Sequence, residues 1–241
     1  MQIIPVIDLM QGQVVHAKHG KRGQYQPIQS QLTASHEPLQ VLDALLKLYP
    51  FDTLYIADID AILGLPPHID IIKSICERYP TLNIWLDSGI KQANASALGM
   101  SKQIKMIVGS ENIAMLQNYR AISDACNKVH STPILSLDFN QSGAMGIPEL
   151  HDTAYYWPNT VICMSLTQVG SGQGIDIERL KQLEAMNNVR EKPSAMYAAG
   201  GLRDVEDAKI LREFGIKGVL VATALHQRKL SRHDIESLSQ T

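Results

Sequence analysis

The sequence lacks the features that mark secreted and membrane-spanning proteins. Its three cysteines, Cys76, Cys126 and Cys163, are odd in number and form no C-x-x-C pair, which argues against a disulfide framework and against a cysteine-based zinc site. No apolar run approaches the ~20 residues that a membrane-spanning helix needs. The first residues do not read as a signal or transit peptide. We therefore expect a cytoplasmic protein without a membrane partner.

An excess of either charge is also missing. The chain has 22 lysines and arginines against 24 aspartates and glutamates, a formal net charge of −2. This balance offers no basic surface for a nucleic-acid partner. None of the eight histidines forms an H-x-x-x-H pair, so we predict no metal site. A small molecule is the expected partner, and no obligate protein partner is evident.

Short apolar runs alternate with segments of helical period along the chain. Eight strands separated by helices, at roughly 30 residues per unit, predict an α/β fold of the (β/α)₈ TIM-barrel type in which residues 1–241 form one domain. A doubly wound sheet is the rival, but no G-x-G-x-x-G motif follows the first strand. The predicted strands are 2–7, 53–57, 82–86, 104–108, 133–137, 160–164, 195–198 and 217–221. The predicted helices are 38–48, 68–79, 91–99, 112–126, 147–157, 176–187, 203–214 and 231–238, of which 147–157 has the weakest pattern.

An internal repeat supports the barrel. Residues 85–91 resemble residues 197–203, and residues 107–110 resemble residues 220–223 at nearly the same interval. The chain therefore resembles two four-stranded half-barrels in tandem.

Two aspartates, Asp8 and Asp138, each close an apolar strand-like run, one in each half. The C-terminal ends of barrel strands form the rim where active sites of this fold lie. From opposite sides of a barrel, one carboxyl group could take a proton while the other gives one. Each aspartate could instead simply turn or cap the chain. The second strand also ends in acids, and of Asp58 and Asp60 we favour Asp58 as the residue that faces the site.

Small residues follow four of the strands in pairs, which predicts two phosphate sites. Backbone N–H groups approach an anion closely where side chains are small, and a following helix N-terminus adds its dipole. The alternative is that the glycines only form tight turns. Two phosphates would imply an elongated substrate across the barrel mouth. The first site comprises Ser88, Gly89, Gly109 and Ser110, and the second comprises Gly200, Gly201, Ala222 and Thr223.

Two loops could cover such a substrate. Residues 16–25 concentrate positive charge, and Lys18 and Arg22 could contact an anion as part of a lid. A solvated basic loop explains the same residues equally well. Residues 170–174 are unusually rich in glycine, which indicates a mobile loop over the mouth in which Ser171 and Gly172 could contact the substrate.

These motifs resemble the histidine-biosynthesis barrel family, which contains a phosphoribosylformimino-aminoimidazole carboxamide ribotide isomerase and the cyclase subunit of imidazole glycerol phosphate synthase. The likeness runs nearly end to end, and the start of the chain is more similar to the isomerase. The segments that carry it are residues 4–9, 12–15, 55–60, 199–207 and 218–225.

The resemblance implies an Amadori-type isomerisation of an aminoaldose to an aminoketose. Asp8 would be the general base at C2, and Asp138 would be the general acid that opens the ribose ring. Proton transfer alone suffices for this reaction, so no cofactor is expected. A free aspartate has a pKa near ~3.9, so Asp138 holds a proton at neutral pH only if burial or a neighbouring negative charge raises its pKa.

The chain departs from the family at positions that recognise substrate. Residues 140–146 lack the tryptophan of the fifth loop, and residues 164–171 lack the acids of the sixth. The third strand ends in residues 87–89, Asp-Ser-Gly, where the family has three glycines, and Ala222 and Thr223 replace a Gly-Arg pair. Both aspartates remain, so a divergent paralogue acting on a related phosphosugar fits the sequence as well as the histidine-pathway enzyme does.

Residues 20–25 match the Gly-x-Arg-x-x-Tyr-like loop of divergent relatives in methanogens and methylotrophs, for which one-carbon cofactor biosynthesis is an expected role. Two hypotheses from other classes stay open. The missing loop acids are compatible with a non-catalytic protein that binds a phosphorylated metabolite. A cyclase or lyase on the same barrel would require a nitrogen donor or a glutaminase partner.

Overall fold

The computed structural model describes residues 1–93, 101–129 and 131–239. Its centre is a barrel of eight parallel strands whose first and last members pair with each other. The strands in chain order are β1 (Gln2–Met10), β2 (Gln13–His16), β3 (Gln26–Pro27), β4 (Thr53–Asp58), β5 (Asn83–Asp87), β6 (Ile104–Gly109), β7 (Ile134–Asn140), β8 (Gly143–Ala144), β9 (Thr160–Ser165), β10 (Ala195–Ala199) and β11 (Gly218–Val221).

Helices and short 3-10 turns connect these strands. The 3-10 turns are Arg22–Gln24, Ser110–Asn112 and Ala154–Tyr156. The α-helices are α1 (Pro38–Leu48), α2 (Ile59–Ile62), α3 (Ile69–Arg78), α4 (Leu116–Lys128), α5 (Pro148–His151), α6 (Ile177–Asn188), α7 (Val205–Glu213), α8 (Thr223–His226) and α9 (Arg232–Ser239). Within the described ranges, no helix combines the length and the apolar character needed to cross a membrane.

The predicted barrel and all eight of its strands are confirmed. Around the barrel the strands follow the order β11, β10, β9, β7, β6, β5, β4 and β1, and β11 then closes on β1. Strands β2, β3 and β8 are short antiparallel additions at the C-terminal end of the barrel. In this order β1 lies opposite β7, and β5 lies opposite β10. The strands that are related by the sequence repeat thus face each other across the barrel.

Most predicted helices are present, with two corrections. The segment 147–157 is not one helix, because it divides into α5 and the Ala154–Tyr156 turn. The helix predicted from residue 112 begins at Leu116, since Ser110–Asn112 first form a 3-10 turn. The predicted helix at 91–99 falls mainly on residues 94–100, which lie outside the described residues.

Each barrel strand divides its side chains between two apolar layers. Alternate residues point inward and outward along a strand. On β1, Ile4 packs with the inner layer, whereas Ile7 and Leu9 pack with the outer layer beneath the helices. Trp85 and Tyr197, from the opposite strands β5 and β10, meet edge to face with ring centroids 4.9 Å apart and fill the barrel interior. The interior is therefore a packed floor on which the mouth of the barrel rests.

We predict that Gly89→Ala destabilises the fold more than Gly64→Ala. Both glycines have positive φ, +63° and +81°, but a Cβ at Gly89 would lie 2.7 Å from the Cα of Ile62, whereas a Cβ at Gly64 would meet nothing within 4 Å. The backbone conformation should cost each variant ~1–2 kcal/mol. The clash with α2 should add ~1–3 kcal/mol at Gly89.

Urea unfolding of the two variants and the wild type measures these losses. Gly64→Ala is the matched control because it shares the backbone strain without the clash. Equal losses in the two variants would contradict the close packing of α2 on the turn after β5.

Candidate active site

A cavity of about 280 Å³ opens at the C-terminal ends of the barrel strands. Its floor continues the inner layer of the barrel, and its walls come from the loops after β1, β6, β9, β10 and β11. Four acidic residues line it together with basic and small residues. The lining residues that matter below are Asp8, His16, Arg22, Tyr25, Tyr55, Asp87, Glu111, Asp138, Gly170, Ser171, Gly172, Gly200, Gly201, Arg203, Ala222, Thr223 and Lys229.

Asp8 lies in this cavity because it continues the inward-facing series of Ile4 and Val6 on β1. The residue is only 8% exposed. Burial raises the pKa of its carboxyl group to about 7; the nearby Asp87 raises this pKa further, and Arg22 lowers it. Within the part of the chain that the structure describes, no hydrogen bond contributes to this pKa, and Asp8 lines the cavity.

Asp138 faces the same cavity from β7, on the opposite side of the barrel. Burial raises the pKa of its carboxyl group to about 7, against the hydrogen bonds that favour the charged form. The Ser136 hydroxyl donates to Oδ1 at 2.6 Å, and the Glu111 backbone N–H donates to Oδ2 at 3.1 Å. The Ser110 hydroxyl accepts from the Asp138 backbone N–H at 2.8 Å and lies 3.4 Å from Oδ2. Asp138 is thus held in one orientation.

Asp87 is a third buried carboxyl group in the cavity, and the sequence analysis did not select it. Burial raises its pKa to about 6. The Tyr55 hydroxyl donates to Oδ2 at 3.1 Å, and the Gly89 backbone N–H donates to Oδ1 at 3.0 Å. Side chains alternate between the two faces of β5. Trp85 fills the barrel interior, so Asp87, two residues further on, lies on the same inward face, and this position is the sequence signal for it.

The loop 16–25 reaches over the mouth and places Arg22 in the lining of the cavity. Arg22 pairs with Glu111, which follows β6 and which the sequence analysis also missed. The same loop contacts the segment after β9, where the His19 backbone N–H donates to the Val169 carbonyl at 2.9 Å. The two loops therefore cover one side of the mouth together.

The residues of the second predicted phosphate site come together at the cavity wall. Gly200, Gly201, Ala222 and Thr223 line it next to Ser171 and Gly172, with Arg203 and Lys229 beside them. The fold itself requires both paired glycines. A Cβ at Gly200 would lie 2.4 Å from the Ser165 carbonyl oxygen, and one at Gly201 would lie 2.0 Å from that of Gly174.

The structure corrects the first predicted phosphate site only in its place, because Ser88, Gly89, Gly109 and Ser110 are not among the described residues that line the cavity. Other protein atoms lie close to the two glycines of this set. Helix α2 packs against Gly89, and a Cβ at Gly109 would lie 3.1 Å from Oδ2 of Asp138. Ser110 is fully buried and bonded to Asp138. The small residues at this position make room for α2 and for Asp138.

Two further expectations are corrected. Asp58 does not line the cavity, because it shares the outward face of β4 with Leu54 and Ile56. Its carboxylate accepts hydrogen bonds from the backbone of Ala61 and from the backbone and ring of His68. Lys18 is exposed and also lies outside the cavity lining. Among the residues that the structure describes, no cluster of histidine, cysteine and acidic side chains is arranged to hold a metal ion.

A family model described as "Histidine biosynthesis protein" matches residues 2–231. An uncharacterized protein of Methanocaldococcus jannaschii is 29% identical over 237 residues, which cover 98% of this chain and 97% of that protein. A 1-(5-phosphoribosyl)-5-((5-phosphoribosylamino)methylideneamino) imidazole-4-carboxamide isomerase of Thioalkalivibrio sulfidiphilus is 23% identical over 255 residues, covering 99% of each chain.

The fold also matches that of a solved structure. The crystal structure of 3-hexulose-6-phosphate synthase from Salmonella typhimurium superposes with a TM-score of 0.64, at 12% identity, covering 99% of this chain and 98% of that one. At this identity the match establishes the barrel architecture alone.

We predict that Asp8→Asn stabilises the protein in alkaline solution. The pKa of Asp8 is raised from 3.8 to about 7 in the folded state, so between these values the folded protein holds more protons than the unfolded chain. Its stability therefore falls as the pH rises through this window. The variant removes this cost and should be more stable than the wild type at pH 8, by up to about 4 kcal/mol. The gain should disappear at pH 4.

Denaturant unfolding at both pH values measures the effect. Asp124→Asn, which changes an exposed aspartate on α4, is the matched control and should show no gain at pH 8. A pH-independent effect of Asp8→Asn would contradict the raised pKa.

Proposed function

This chain belongs to the histidine biosynthesis protein family, and we propose that it is an isomerase that transfers protons within a phosphorylated sugar derivative. One observation carries the proposal. Asp8 and Asp138 face one cavity from opposite strands, and each has a pKa of about 7. Such groups exchange protons readily at neutral pH, which is the requirement for general acid–base catalysis. Relatives that cover 95% and 99% of this chain are named as isomerases, which supports the same reaction class.

The phosphate would bind where Gly200, Gly201, Ala222 and Thr223 line the cavity. Backbone N–H groups after β10 and β11 and the Thr223 hydroxyl supply hydrogen-bond donors, and Lys229 supplies positive charge. This position, after the seventh and eighth barrel strands, is a frequent phosphate site of the fold. A phosphate held there would place the sugar across the cavity, toward the acidic residues.

The proposed reaction conserves electrons and moves only protons. Asp138 gives a proton to the ring oxygen, and the bond between that oxygen and C1 breaks while the lone pair of the nitrogen or oxygen attached to C1 forms a double bond to C1. Asp8 then removes the proton from C2; the released electron pair forms a C1–C2 double bond, and the double bond from C1 to the heteroatom returns its pair to that heteroatom. Return of a proton to C1 and loss of the C2 hydroxyl proton give the ketose. No oxidant or reductant is consumed.

The surroundings of the two carboxyl groups support this division of roles. Among the described residues none donates a hydrogen bond to the Asp8 carboxyl oxygens, which suits a base that must accept a proton from carbon. Asp138 is fixed by Ser136 and by the backbone N–H of Glu111, which suits an acid that must meet one ring oxygen.

Deuterium uptake from D₂O into three probes tests the proposal. The probes are ribose 5-phosphate, glucosamine 6-phosphate and the bis-phosphoribosyl ribotide that gives the isomerase relatives their name. We expect enzyme-dependent uptake into at least one of them, because the base exchanges its proton with solvent. Asp8→Asn and Asp138→Asn should each lower the rate by about 10²–10⁴-fold, the usual contribution of a general acid or base.

Asp124→Asn is the control for the amide substitution and should keep the wild-type rate. Because Asp8→Asn is expected to fold stably, its lost activity would not reflect unfolding. Absence of uptake with all three probes, or uptake that persists in Asp8→Asn, would contradict the proposed role.

A further inference from the structure

The two sides of the cavity differ in charge. Asp87, Glu111 and Asp138 come from the neighbouring strands β5, β6 and β7 or directly follow them, and we call these three residues the acidic side. Asp8 faces the same cavity from β1, which lies opposite β7 and next to β11. The loops after β9, β10 and β11 supply the small residues described above, together with Lys229. We call this the glycine side. In the strand order β10 lies opposite β5 and β11 lies opposite β6, so the two sides face each other.

Three described hydrogen-bond donors on the acidic side are already used by two carboxyl groups of the protein. The Glu111 backbone N–H and the Ser110 hydroxyl both point to Oδ2 of Asp138, at 3.1 and 3.4 Å. The Gly89 backbone N–H donates to Asp87 at 3.0 Å. These donors follow β5 and β6, where the sequence predicted the first phosphate site. Asp87 and Asp138 thus occupy the anion-binding positions that the small residues would otherwise offer.

Charge also disfavours a second phosphate there. Arg22 is the cation that the described cavity lining offers on the acidic side, and it is already paired with Glu111. A phosphate would therefore face three carboxyl groups and one neutralised guanidinium group. Asp8 is more than nine-tenths buried, accepts no hydrogen bond from any other side chain in the described ranges, and lines the cavity. Hydroxyl and amino groups carry hydrogens that can be donated to such oxygens, whereas a fully ionised phosphate carries none.

We infer that the substrate carries a single phosphate, bound on the glycine side, and that the rest of it presents hydroxyl or amino groups to Asp8, Asp87, Asp138 and Glu111. The inference rests on the proposed function and narrows its substrate class. The isomerase relatives are named for a compound with two phosphoribosyl groups. This chain keeps one anion-binding side and has converted the other into a site for uncharged or cationic groups.

Calorimetric binding of fructose 6-phosphate and fructose 1,6-bisphosphate at pH 8 tests the inference, because the two probes differ by one phosphate. We expect the monophosphate to bind about tenfold more tightly or better, since like charges facing each other across an interface oppose binding. Equal or tighter binding of the bisphosphate would overturn the inference.

Three variants separate the sides. Glu111→Gln removes one negative charge and releases Arg22, so it should raise the affinity for the bisphosphate relative to the affinity for the monophosphate. Glu111→Asp keeps the charge and should keep the discrimination. Thr223→Val removes a hydroxyl group on the glycine side, so it should weaken both probes and leave their ratio unchanged. Discrimination that persists in Glu111→Gln at the wild-type ratio would count against the acidic side as its source.

The outcomes distinguish this inference from the proposed function. Discrimination between the probes without deuterium uptake would support the single-phosphate site and reject the isomerase role. Deuterium uptake together with tight binding of the bisphosphate would support the isomerase role and reject the single-phosphate site. Failure of both probes to bind would reject the phosphate site on which both proposals depend.

Discussion

The burial of three aspartates at the mouth of one barrel is the constraint on which the site depends. Asp8, Asp87 and Asp138 are each less than a tenth exposed, and burial raises the pKa of every one of them. Ionised, they repel one another across a poorly solvated space, so the surrounding chain must hold them by packing and hydrogen bonds. Gly109 leaves room for the Asp138 carboxyl group, Tyr55 donates to Asp87, and Arg22 supplies the compensating charge. Burial of these carboxyl groups lowers the free energy of unfolding at neutral pH and brings their pKa values close to neutral pH.

The sequence predicts most of the fold because the barrel strands are buried on both faces and read as continuous apolar runs. It does not predict the structure where the pattern is short or mixed, as at residues 147–157, where three consecutive aromatic residues leave no clear helical period. Asp8 and Asp138 were recognisable because each ends such a run. The expectation for Asp58 is wrong because it does not take account of the alternation of inward and outward side chains along β4. Tyr55 and Ala57 pack in the inner layer, so Asp58 must point outward.

The same alternation along β5 identifies Asp87 as inward-facing, because it lies two residues after the inward-facing Trp85. Glu111 had no comparable signal. Its role depends on Arg22, which is distant in sequence and reaches it only because the loop 16–25 crosses the mouth. The close packing around Gly89 and Gly109, at the first predicted phosphate site, also has no signal in the sequence. A small residue is compatible with a ligand, a tight turn or a neighbouring helix, and only the position of Ile62 against Gly89 decides between them.

The strand order has a consequence for how such a barrel can be assembled from parts. Asp8 belongs to the first four barrel strands and Asp138 to the last four, and the halves meet at the β6–β7 and β11–β1 pairings. A gene divided after α4 would encode two fragments with one of these carboxyl groups apiece. Neither fragment alone would contain both carboxyl groups. Turnover that returns when the fragments are mixed would therefore show that the β6–β7 and β11–β1 pairings had formed. Complementation would then serve as a selection for barrel assembly itself.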